Sequence, residues 1–159
     1  MKINALVLLM FLSFSAFAQK EMPNVSLKSD KNKTYNVKTD FNQKDKLYVF
    51  TFWATWCVPC LNELDAINNN YEKWTKELNM EVVAVSVDDA RTQKRVKPLL
   101  NGKKWPYTVL LDTNQDLKRA LSVANVPYTI VVKNRKIVYI HNGYSQGAEK
   151  ELYNKLKQL

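Results

Sequence analysis

Glycine, cysteine and histidine are all scarce in this chain, with three, two and one residues among 159. Three glycines leave little material for the Gly-rich loops that cradle phosphates. Two cysteines are too few for a multi-disulfide scaffold or a four-cysteine zinc site, and one histidine leaves few ways to complete a nitrogen and sulfur cage. Repeats, low-complexity tracts and Pro, Gly or Ser linkers are missing as well. Apolar residues, by contrast, make up 46% of the chain and aromatics 11%, enough to bury a core and unlike a disordered tail. The chain is basic, with 24 Lys and Arg against 15 Asp and Glu, a formal net charge of +9. A nucleic-acid stripe would cluster its cations on one element with aromatics between them. These cations are scattered, and the densest stretch, Arg91 to Lys104, reads as the solvated face of a helix and its exit, so no nucleic-acid partner is expected.

Lys2 is the only charged residue before Lys20, and Ile3 to Phe17 is a nearly unbroken apolar run ending in Ala16-Phe17-Ala18. That pattern fits a secretory signal with an A-x-A cleavage site, and the run is short for a bilayer span of about 20 residues. Residues 1–18 are therefore expected to be a removed signal peptide, and 19–159 a single exported domain, periplasmic or otherwise outside the reducing cytosol, where disulfides persist.

Along that domain, strand and helix patterns alternate. Val25 to Leu27 and Thr34 to Val37 flank a polar stretch and read as a hairpin. Leu47 to Phe52 and Met80 to Val87 are continuous apolar runs suited to strands buried on both faces, and Thr129 to Val132 and Lys136 to Ile140 flank a tight turn at Asn134-Arg135. From Leu61, apolar residues at Leu64, Ile67, Tyr71, Trp74 and Leu78 form one stripe of a long amphipathic helix. Arg91 to Leu100, Gln115 to Leu121 and Gln146 to Leu159 are further helical candidates. The expected fold is α/β, a central mixed sheet flanked by helices.

Both cysteines lie in Trp56-Cys57-Val58-Pro59-Cys60, between the Leu47 to Phe52 strand and the long helix. At a helix N-terminus, unpaired backbone N–H groups and the positive end of the dipole favour thiolate over thiol, which marks Cys57 as a nucleophile. A second thiol one turn further on can resolve the mixed disulfide formed when the first attacks a disulfide, and Cys60 has that place. On a helical wheel Cys60 falls within the apolar stripe and Cys57 at its edge, which predicts an exposed nucleophile and a buried resolving cysteine. Pro59 is tolerated in the first turn, where its missing N–H would have no intrahelical acceptor. His141, 81 residues from Cys60, reads as an ordinary strand-end residue.

The segment Phe52-Trp53-Ala54-Thr55-Trp56-Cys57-Val58-Pro59-Cys60 resembles the active-site segment of the thioredoxin superfamily, and within it the exported thiol-disulfide oxidoreductases of the TlpA and ResA type. Val123-Ala124-Asn125-Val126-Pro127-Tyr128-Thr129 resembles the superfamily segment whose cis-proline faces the cysteines. The resemblance implies a thioredoxin-like fold with an N-terminal hairpin and a central insertion, to which Trp105-Pro106-Tyr107 and the run Thr108 to Leu111 belong. It implies that Val126 and Pro127 position an extended peptide, with Trp53 and Trp56 shaping the surface near Cys57 and Trp56 and Pro59 touching substrate. Thioredoxin keeps a buried Asp where this chain has Thr51. The TlpA and ResA type resembles this chain in carrying a glutamate at Glu63, so the role of taking the Cys60 proton moves to Glu63. The family often has Gly where Asn125 stands, and the Asn134 turn lacks its usual Gly, which bears on loop geometry. The implied activity is reduction or exchange of protein disulfides, including in cytochrome c maturation, by a monomer with no cofactor beyond its Cys57–Cys60 disulfide. Its electrons would come from a membrane protein of the DsbD or CcdA kind. Two competitors remain at this level. One is a periplasmic Cu(I) carrier holding metal on both thiolates. The other is a thiol peroxidase, for which Thr55 fits part of the pattern but no Arg lies nearby in sequence.

Overall fold

A computed structural model describes residues 20–159; the expected signal segment and its cleavage point at Ala18 lie outside the described residues. Among the described residues seven strands form one mixed sheet: β1 (Ser26–Ser29), β2 (Thr34–Asn36), β3 (Leu47–Trp53), β4 (Met80–Ser86), β5 (Thr108–Leu111), β6 (Tyr128–Lys133) and β7 (Lys136–Asn142). Their spatial order is β2-β1-β5-β4-β3-β6-β7. The two continuous apolar runs occupy the middle. All seven residues of β3 are buried, and β4 is buried except for Glu81, as strands covered on both faces must be. β3 runs parallel to β4 and antiparallel to β6, so Thr51 stands opposite Ala84 on one side and Thr129 on the other.

The α-helices of the described residues that flank the sheet are α1 (Val58–Glu77), α2 (Val96–Lys103), α3 (Asp116–Ala120) and α4 (Ala148–Leu156). None among the described residues is long and apolar enough to cross a membrane. The amphipathic stripe of α1 buries Cys60, Leu64, Ile67 and Trp74, and its far end is held by Trp74 stacked on Tyr153 of α4 with ring centroids 5.3 Å apart. On β3, Phe50 meets Phe41 edge to face at 5.3 Å. The N-terminal hairpin forms as β1 and β2, and β1 joins the sheet by pairing antiparallel with β5. β5 and α2 before it supply the expected insertion, since β5 is parallel to β4 and separates it from the hairpin.

Two helices start later than their sequence patterns suggest, for local reasons. Helix α2 begins at Val96 rather than Arg91, after a 3-10 turn at Gln93–Arg95. The Asp89 carboxylate accepts the N–H groups of Arg91 and Thr92, and Pro98 falls in the first helical turn, where it breaks no bond. Helix α4 begins at Ala148 rather than Gln146 because Gly147 before it has φ +98°, outside helical space. The turn without glycine between β6 and β7 puts both Asn134 and Arg135 at positive φ, 51° and 68°, the backbone that a two-residue hairpin of this twist demands.

Candidate functional site

The site lies at the carboxyl end of β3, where that strand gives way to α1. Cys57 is the N-cap of α1, with an extended backbone (φ −96°, ψ 93°), and its sulfur accepts the backbone N–H of Cys60 at 3.3 Å. The two cysteines form a disulfide with their Cα atoms 5.3 Å apart. The loop in front of them is tied down from the neighbouring strand. Asp88, 1% exposed just beyond β4, accepts the Thr55 N–H at 2.8 Å, the Thr55 hydroxyl at 2.6 Å and the Ser86 hydroxyl at 2.9 Å. Three donors converging on one buried carboxylate fix the approach to Cys57, and they commit the Thr55 hydroxyl to Asp88 rather than to the cysteines.

Cys60 is fully buried, as expected, but Cys57 is only 5% exposed, which corrects the expectation of an open nucleophile. A helical wheel does not describe Cys57, which precedes the helix as its cap, and its sulfur is drawn inward by the bond to Cys60. Exposure passes to its neighbours: Trp56 is 57% and Val58 66% exposed, and Pro59 is exposed too. Trp53 also departs from expectation. It is fully buried, edge to face with Trp105 at 5.4 Å, so it belongs to the core and Trp56 alone of the two shapes the surface. His141 is a half-buried strand residue lying over the Tyr139 ring.

Glu63, one turn after Cys60, is 3% exposed. The Thr129 hydroxyl of β6 donates to its Oε1 at 3.0 Å, while Oε2 is buried with no partner among the described residues. Burial pushes the Glu63 carboxyl up to about 7, against the opposing pull of the Thr129 hydrogen bond. A carboxyl so placed can take or give a proton near neutral pH. Thr51 stands where thioredoxin keeps its acid, and its hydroxyl lies 3.2 Å from that of Thr129.

The Val126–Pro127 peptide bond is cis. Pro127 is buried, and its carbonyl accepts the Gly143 N–H at 2.8 Å, whereas neither the N–H nor the C=O of Val126 has a partner among the described residues. Beside the cysteines on the other flank, Pro59, Asn62, Asn69, Tyr144, Gln146 and Glu149 line an open groove of about 550 Å³. Asp88 and Thr129 were not singled out from sequence. A hint for Asp88 is its position directly after an apolar strand whose end, Ser86, pairs with Trp53; nothing local marks Thr129, whose partners depend on the register of β3 and β6. The dense cations Arg91, Lys94, Arg95, Lys97 and Lys104 are exposed, as a solvated face requires, and Lys103 pairs with Asp65.

A thioredoxin-like sheet carrying a Cys-x-x-Cys disulfide on the helix that leaves its central strand defines a thiol-disulfide redox protein of the thioredoxin class. Residues 18–140 match the model of the AhpC/TSA family, and the chain belongs to that family. It is 30% identical over 120 residues to the thiol-disulfide oxidoreductase ResA of Bacillus thuringiensis strain Al Hakam, an alignment covering 75% of this chain and 66% of that protein. A thioredoxin-like protein of Porphyromonas gingivalis superposes with a TM-score of 0.75 at 42% identity, covering 87% of this chain and 90% of that one. StoA from Bacillus subtilis superposes at a TM-score of 0.65 and 18% identity, covering 83% and 99%, which speaks to the fold alone.

Proposed function

We propose that this chain is an exported thiol-disulfide oxidoreductase that reduces or exchanges disulfides in other proteins. Cys57 attacks a substrate disulfide, Cys60 resolves the mixed disulfide, and Glu63 takes the proton that Cys60 must lose. The unpaired Val126 backbone, next to Pro127, holds an extended stretch of substrate by strand-like pairing, with Trp56 and Pro59 flanking the reacting sulfur. The observation that carries this reading is one helix start bearing Cys57 as its cap, Cys60 one turn on, and the buried Glu63 one turn further with a carboxyl lifted to about 7.

The apolar segment before residue 19 supports an extracytoplasmic location, and the similarity to the thiol-disulfide oxidoreductase ResA supports exchange between thiols and disulfides. Cytochrome c maturation is the process we assign, with a membrane donor of the DsbD or CcdA kind returning electrons to a monomer that uses no cofactor beyond its own disulfide. The test is the reduction potential of the Cys57–Cys60 pair in dithiothreitol and glutathione buffers, alongside reduction of a protein disulfide. A two-electron transition at about −270 mV with turnover supports the reductant, whereas one at about −120 mV makes the protein an oxidant.

A further inference from the structure

Thr129, the second residue of the largely apolar strand β6, is a buried hydroxyl that the exchange chemistry does not itself require. It is 1% exposed and lies between two other buried groups, Thr51 at 0% and Glu63 at 3%. Thr51 and Thr129 are direct cross-strand partners of β3 and β6, with hydroxyl oxygens 3.2 Å apart, and Thr129 is 3.0 Å from Glu63 Oε1. A hydroxyl has one proton to give and two lone pairs. With Glu63 ionised, Thr51 donates to Thr129 and Thr129 donates to Oε1.

We propose that Thr129, backed by Thr51, is a positioning residue for Glu63: it anchors Oε1 and leaves the unpartnered Oε2 as the oxygen that receives the Cys60 proton. This rests on the assignment of Glu63 as proton carrier. In the resolving step the Cys60 S–H proton passes to Oε2 and the Cys60 thiolate attacks Cys57 Sγ. The Cys57–Cys60 bond forms as the Cys57–substrate bond breaks, and the substrate sulfur departs with the electron pair and is protonated in turn.

The titratable groups of other elements that feel the Glu63 charge are Tyr107, before β5, whose hydroxyl donates to the Leu64 carbonyl, and Tyr144, in the loop after β7. Asp65 lies near Tyr107, and Glu149 accepts the Tyr144 hydroxyl. Both phenols are held above their ordinary range, so neither is charged at neutral pH. Among the described residues no charged side chain acts on Glu63; burial raises it and the Thr129 bond alone opposes. Losing a hydrogen bond to the charged form moves such a group by about one unit.

The experiment is the pH profile of protein-disulfide reduction for the parent, Glu63→Gln, Thr129→Val and Thr129→Ser, with the Glu63 carboxyl titrated in parallel by 13C NMR in the oxidised proteins. Thr129→Val is expected to move the acid limb and the NMR midpoint up by about one unit, about tenfold in rate on that limb, and Thr129→Ser to restore both. A profile that Glu63→Gln leaves unchanged overturns the proton-carrier reading. A profile that Glu63→Gln alters, with Thr129→Val superposed on the parent in rate and NMR, overturns the role of Thr129 alone. If Thr129→Val does not fold, Thr51→Val is read in its place; it should move both midpoints the same way by less, and no movement overturns the proposal.

Discussion

Burying Glu63 has a stability consequence that is separate from catalysis. Its carboxyl is moved from an ordinary 4.5 to about 7, chiefly by burial. A group raised in the folded state contributes fully below its unfolded value, and that contribution is lost as pH rises through the folded value, because the unfolded chain releases the proton first. The window is about pH 4.5 to 7, and a shift of this size corresponds to roughly 3 kcal/mol. Glu63→Gln removes the titration but leaves a buried amide N–H without an assured partner, a cost of about 1–3 kcal/mol that does not vary with pH. The informative quantity is therefore the difference between parent and variant, followed by urea unfolding of the oxidised proteins from pH 4 to 8.5. The parent should lose about 3 kcal/mol relative to Glu63→Gln across that range, with the change centred between 4.5 and 7. A difference that stays constant with pH, or that moves in favour of the parent as pH rises, would refute the argument.

Two further substitutions separate positioning from contact. Asp88→Ala strands the donors of Thr55 and Ser86, and is expected to cost about 3 kcal/mol in chemical denaturation and to slow the reaction of Cys57 with dithiothreitol; unchanged stability would show that the Asp88 bonds do not hold the loop. Trp56→Ala removes a side chain that is 57% exposed, so stability should stay within about 0.5 kcal/mol while KM for a protein disulfide rises several-fold and the rate with dithiothreitol is unaffected. Equal loss with the protein disulfide and with dithiothreitol would place Trp56 in the chemistry instead.

The parts of the molecule that could be read from sequence are those whose information is local. The runs at Leu47 and Met80 are apolar at nearly every position because β3 and β4 are covered on both faces. The stripe from Leu61 to Leu78 records one face of α1, and Cys57, Pro59 and Cys60 declare a helix start by type and spacing. What could not be read depends on which strands lie side by side. Thr51 and Thr129 are 78 residues apart and Thr55 and Asp88 are 33 apart, and only the pairing of β3 with β6 and β4 brings them together. The burial of Cys57 is not legible in periodicity, which assigns exposure only to residues inside a helix, and the cap lies just outside it.

The central claim is that Cys57 makes the first bond to substrate and Cys60 breaks it. Incubating Cys60→Ala and Cys57→Ala separately with an oxidised protein substrate, then mapping any disulfide-linked adduct, tests this most directly. The account predicts that Cys60→Ala accumulates an adduct through Cys57, released by dithiothreitol, and that Cys57→Ala accumulates none. An adduct through Cys60 in Cys57→Ala, with none in Cys60→Ala, would contradict it.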